Sequence, residues 1–168
     1  ISYNYGANNA YRVKKAFRLL LISCLTYSAV LWLLAMVVPN MFAAIFTSDP
    51  ALTEITVWAL RIYMGGCLLF GAQIACQQTF IALGNAKTSA FLAMFRKIIV
   101  LIPLIYILPM FIEDKVMAVF LAEPIADILA VLTTVTMFVL FFKKLFRNMD
   151  EEHVEEAKQQ TQLEEKEA

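Results

Sequence analysis

The sequence predicts an all-α membrane protein with four transmembrane helices, and three observations carry that reading. Hydrophobic residues make up 61% of the 168 positions, against roughly 45–50% in soluble domains, and the mean hydropathy is +0.69. Four apolar stretches are each long enough to cross a bilayer, which takes about 20 mostly apolar residues in helical form. Turn signals and short charged runs separate these stretches. The formal net charge is zero, so there is no basic signature for nucleic acid.

Residues 1–18 read as a turn and a basic lead-in. The stretch Ser2-Tyr3-Asn4-Tyr5-Gly6-Ala7-Asn8-Asn9 is followed by Arg12, Lys14, Lys15 and Arg18. The absence of an initiator Met and the mid-loop character of this opening predict a fragment cut upstream. The first span covers 19–46. It is free of charge from Leu19 to Val38, and its apolar pattern continues past Pro39-Asn40 to Phe46. Thr47-Ser48-Asp49-Pro50 is a turn, with Asp49 or Ser48 suited to cap the next helix and Pro50 to open it. The second span covers 52–83. Gly65, Gly66 and Gly71 allow close helix approach, and Gln73, Gln77 and Gln78 carry amides that hydrogen-bond across helices. Gly84-Asn85 ends it, because Gly fits a left-handed C-terminal cap.

The third span covers 88–112. Arg96-Lys97 falls about two turns in, and Pro103 and Pro109 are expected to kink or break it. After the short turn Glu113-Asp114-Lys115 comes the fourth span, 116–142, followed by Lys143, Lys144 and Arg147. Residues 148–168 change character. Eight acids stand there against Lys158 and Lys166, which predicts a solvated acidic tail. The only His, His153, lies in it and receives no role. Cys24, Cys67 and Cys76 all fall within apolar runs and read as small buried hydrophobes.

Orientation follows from Lys and Arg near the span ends. Arg12, Lys14, Lys15, Arg18, Lys87, Lys143, Lys144 and Arg147 gather on one side, and Lys115 alone occupies the short turns of the other. Eight against one places both ends in the cytoplasm, and four spans agree with that parity.

No enzyme constellation is present: no Ser/His/Asp set, no phosphate loop and no spaced metal ligands. The candidates for chemistry are the intramembrane polar residues. Glu123 and Asp127 are four apart on one helical face inside an apolar run, and a carboxylate in hydrocarbon must be paired, protonated or wetted. Asp127 is ~22 Å from the cytoplasmic end of its helix and Arg96 ~12 Å from the same side at 1.5 Å per residue. A long Arg side chain bridges part of such an offset. One reading therefore has Asp127 neutralise Arg96 or Lys97 between helices. A second has Asp127 and Glu123 face a cavity and take up a proton or cation, and a third leaves Asp127 protonated without a role. Gln73, Gln77 and Gln78 either bond between helices or line a path for polar or cationic solutes. Among the aromatics, Tyr27, Trp32, Tyr63, Phe70 and Tyr106 read as packing or interface anchors, some of them suited to stack on a flat cation.

Several stretches resemble one known family. Ile1 to Asn9, followed by Arg12-Val13-Lys14-Lys15-Ala16, is similar to the cytoplasmic turn in the carboxyl-terminal half of multidrug and toxic compound extrusion (MATE) transporters. Ile45-Phe46-Thr47-Ser48-Asp49 resembles the family's outer turn. Gly71 to Gln78 with Ala82-Leu83-Gly84-Asn85-Ala86-Lys87 resembles its next helix and inner turn, and Glu123-Pro124-Ile125-Ala126-Asp127 its last helix. The resemblance covers about residues 1–147. It implies a twelve-helix, two-lobe protein of which this chain would hold the ninth to twelfth helices, the rest being supplied by missing N-terminal helices of the same chain. It implies secondary active efflux of drugs or small organic cations at the cell membrane, by antiport against protons or sodium ions, with no cofactor beyond the coupling ion. One departure stands out. Some branches carry a coupling carboxylate in the tenth helix, and the corresponding stretch Ile62 to Leu83 has none. The alternatives are a lipid-linked oligosaccharide flippase of the same superfamily and, from another class, a four-helix membrane scaffold or sensor.

Overall fold

The computed structural model describes the backbone of residues 1–167 and the side chains of residues 1–149. Of the acidic tail expected over 148–168, all but Asn148 and Met149 lies outside those side chains, as does His153. Eight α-helices follow one another: α1 (Ser2–Gly6), α2 (Ala10–Val37), α3 (Pro39–Phe46), α4 (Pro50–Tyr63), α5 (Cys67–Ala82), α6 (Ala86–Met94), α7 (Ile102–Phe111) and α8 (Lys115–Glu167). A 3₁₀ turn, Met64–Gly66, joins α4 to α5, and a π-helical segment, Phe95–Leu101, joins α6 to α7. The result is four helical rods long and apolar enough to cross a membrane: Ala10–Val37, Pro50–Ala82, Ala86–Phe111 and Lys115–Met149.

Local chemistry sets the ends of these rods. Helix α2 starts at Ala10 rather than at residue 19, because Asn9 accepts a hydrogen bond from the Arg12 N–H at 2.9 Å and caps it. The basic residues 12–18 therefore stand on helix, not on a linear lead-in. The helix stops at Val38, whose φ/ψ of −123°/51° is non-helical, as expected for a residue before proline; Pro39 then opens α3. Asp49 caps α4 by accepting from the Ala51 N–H at 2.9 Å. Gly84, at φ +80°, turns the chain after α5. Asp114 accepts from the N–H groups of Val116 and Met117, both at 3.0 Å, and so starts α8.

The third rod absorbs its prolines without ending. Neither Pro103 nor Pro109 breaks it; Pro103 falls in the first turn of α7 and Pro109 inside it. A proline cannot donate to the carbonyl four residues back, so Ile99 loses its ordinary α-helical partner. The backbone upstream widens into i→i+5 bonding over Phe95–Leu101, and the helix continues.

The fold turns the usual distribution inside out. Large apolar side chains such as Leu33, Leu132 and Leu140 are exposed, while Ser28, Gln73, Thr79, Ser89, Glu123, Asp127 and Thr134 are buried. Lipid is as apolar as the interior, so polar groups and small residues hold such helices together. Gly71 on α5 meets α2 so closely that a Cβ would lie 2.5 Å from the Cys24 carbonyl oxygen. Along α8 one i+4 ridge reads Ala118, Ala122, Ala126, Ala130, Thr134, Phe138, Phe142, Phe146. Its four alanines are fully buried. Its phenylalanines stack on one another at 4.8 and 4.5 Å and meet Phe17 of α2 and Phe80 of α5. Cys76 is buried in this aromatic group, beside Leu92. Val13, Leu83, Phe146 and Met149 close the same end of the bundle.

Candidate functional site

The charged residues of the third and fourth rods converge. Arg96, on the π-helical segment, donates from Nε to Asp127 Oδ1 at 2.6 Å and from Nη2 to Glu123 Oε1 at 2.8 Å. Its Nη2 also pairs with Asp127. Lys97 donates to the same Glu123 oxygen at 3.2 Å. The two acids are buried and the Arg96 side chain nearly so, whereas the Lys97 side chain is 53% exposed. Two cations and two anions make the cluster formally neutral.

Each member is placed by its local backbone. Glu123 and Asp127 sit one helical turn apart on α8, so both carboxylates point the same way. Consecutive residues of an α-helix do not share a face, yet Arg96 and Lys97 both reach Glu123 from the widened π turn. Such π segments are rare and frequently occur at functional sites. From α5 comes Phe70, whose ring centroid is 4.8 Å from the Arg96 guanidinium carbon; this stacking partner is one of the aromatics that sequence alone left unassigned. Gly66 admits α8: a Cβ there would stand 2.7 Å from Asp127 Cβ and 3.2 Å from Pro124 Cα. Beside the cluster is a cavity of about 280 Å³ lined by Tyr63, Met64, Cys67, Phe70 and the four charged residues.

The glutamines lie apart from this cluster. Gln73 is buried, Gln77 half-buried and Gln78 exposed. Gln73 Oε1, Gln77 Nε2 and the Thr134 hydroxyl of α8 are buried without a hydrogen-bond partner. At these two amide atoms no bond to another helix is made. Among the described residues no group of three His, Cys, Asp or Glu side chains is placed to hold a metal ion.

Four rods long and apolar enough to cross a membrane, pinned by a buried charge cluster, define a polytopic helical membrane protein. The sequence model of the MatE family matches residues 1–107, and the chain belongs to that family. The fold is that of solved relatives. It superposes on an inward-facing multidrug resistance MATE family transporter of the MOP superfamily with a TM-score of 0.81, at 17% identity, over 87% of this chain and 34% of that one. An outward-facing structure of such a transporter gives 0.79 at 16% identity, over 87% and 33%. The MATE multidrug transporter DinF-BH, in complex with R6G, gives 0.74 at 33% identity, over 82% and 30%. The chain spans about a third of the length of these transporters. No curated protein sequence matches it.

Proposed function

We propose that the chain supplies four helices of one lobe of a secondary transporter that exports drugs or organic cations in exchange for protons or sodium ions. The observation that carries this is the agreement of one four-rod fold with inward- and outward-facing relatives alike. A lobe that keeps its internal shape in both states is what rocking about a central site requires. The ion cluster serves that rigidity. Arg96 and Lys97 already neutralise Glu123 and Asp127, and α5 carries no acid, so the coupling ion binds outside these four rods. In this reading the two ends of the chain are cytoplasmic, on the eight-to-one distribution of basic residues, and the protein resides in the cell membrane.

The test is gradient-driven efflux of a cationic dye by the longer transporter. Asp127→Asn combined with Arg96→Gln leaves Glu123 opposite Lys97 and is expected to keep both protein level and efflux. Normal protein with lost efflux would make Asp127 a coupling residue. A parent that moves no cation under either gradient would overturn the export function itself.

A further inference from the structure

A second cavity shares no lining residue with the one beside the ion cluster. It has a volume of about 740 Å³ and lies between α2, α5 and α8, within the roughly 300–1,000 Å³ typical of ligand pockets. Its wall is aliphatic and aromatic, with Phe17, Leu21, Leu25, Val135, Phe138 and Val139. Lys14, Lys143 and Arg147 line it as well, and they stand together at one end. Lys14 Nζ sits 4.3 Å from the Phe146 ring centroid, and the neighbouring Val13 packs with Phe146 and Met149, which fixes the first turns of α2 beside residues 143–149 of α8.

We propose that this cavity binds an anionic phospholipid, with an acyl chain along the phenylalanine wall and the phosphate at Lys14 and Lys143. The argument is one of charge complementarity. A cationic cargo would be repelled by the basic end. A small soluble anion would find an apolar wall with nothing to pair with beyond that end. An amphiphile with one negative head and a long apolar tail satisfies both halves. In a bilayer the abundant molecule of that kind is an anionic lipid, and basic pockets between membrane helices bind such head groups. On two of the helices that wall it, α2 and α8, Leu19, Ile22, Val139 and Leu140 are exposed.

The experiment is native mass spectrometry of the purified full-length protein with equimolar phosphatidylglycerol and phosphatidylcholine. Retention of phosphatidylglycerol over phosphatidylcholine is expected. Lys14→Gln with Lys143→Gln should weaken it roughly tenfold or more, since each basic residue near the head group contributes about fivefold. Lys15→Gln with Lys144→Gln removes the same charge at exposed positions outside the cavity and should leave it unchanged. Leu21→Trp, which fills the cavity, should abolish retention while the protein elutes as before on size exclusion. The proposal is overturned by equal loss in both lysine pairs, which would mean diffuse surface charge. It is equally overturned by phosphatidylglycerol that survives Leu21→Trp, or by no preference in the parent, as when another helix of the longer chain occupies the cavity.

Discussion

The two halves of the fourth rod, Lys115–Met149, solve the same packing problem in opposite ways. In the first half the buried ridge is Ala118, Ala122, Ala126 and Ala130. There the backbones come so close that Gly66 has no room for a methyl group beside Asp127, and a directional ion cluster sets the contact. In the second half the ridge turns to Phe138, Phe142 and Phe146, the helices are held apart by rings, and a large cavity opens among them. Close approach brings specificity through charge and shape together. Separation by rings brings adaptable contact, with centroid distances spread from 4.5 to 5.3 Å across tilted, stacked and edge-on pairs.

That contrast can be broken most sharply at Asp127. Asp127→Asn leaves Arg96 and Lys97 to share Glu123 alone, one positive charge in excess, and breaking a buried pair costs about 3–5 kcal/mol whereas removing both partners is often close to neutral. Folded protein in the membrane should fall steeply and recover when Arg96→Gln is added; membrane-fraction immunoblots read both. Failure of the second change to rescue would show that the cluster is not a closed neutral unit. Next come the glycines. Gly71→Ala and Gly66→Ala force backbone or Cβ clashes and should each lower stability by about 1–3 kcal/mol. At Gly65, by contrast, a Cβ meets only Pro124 Cβ at 3.6 Å, so Ala there should be neutral or stabilising by up to about 1 kcal/mol. Thermal unfolding in detergent separates the three, and a uniform loss would remove the distinction between tight and open contacts. In the aromatic half, Phe138→Leu gives up three ring pairs, each worth about 0.5–1.5 kcal/mol, and should cost about 2 kcal/mol; a loss as large as that of Asp127→Asn would erase the contrast. The smallest effect is expected beyond the ridge. Under the proposed function, deleting residues 150–168, where acids dominate, should leave dye efflux unchanged.

Much of this was legible in the residues. The four spans follow from apolar length, and the turn at 47–50 and the stop at Gly84 follow from single residues whose chemistry is local. The pairing of Asp127 with Arg96 was one of three open readings, because counting along helices gives depth but not facing. Two features escaped. The widened turn at 95–101 answers a donor missing at Pro103, and proline in a sequence announces the loss without saying how the backbone absorbs it. The cap at Asp114 was hidden inside an acidic turn whose other members, Glu113 and Lys115, make it look like ordinary solvated charge. The ridge of α8 repeats every four residues. Its division into small and large halves acquires meaning only beside Gly66 and Phe80, which come from a different helix.

The widened turn also has a genetic consequence. A π segment accommodates more residues per turn than an α-helix, so Phe95–Leu101 is a place where one codon can be lost and the rod still close its ladder. Deleting a single residue at 98–100 would leave an ordinary helix, and because the wider turn advances through a smaller angle per residue, everything beyond it would keep nearly the same face. Ile102–Phe111 would still present the same side to α8. The third rod thus carries a spare residue, whose loss shortens the rod without turning it.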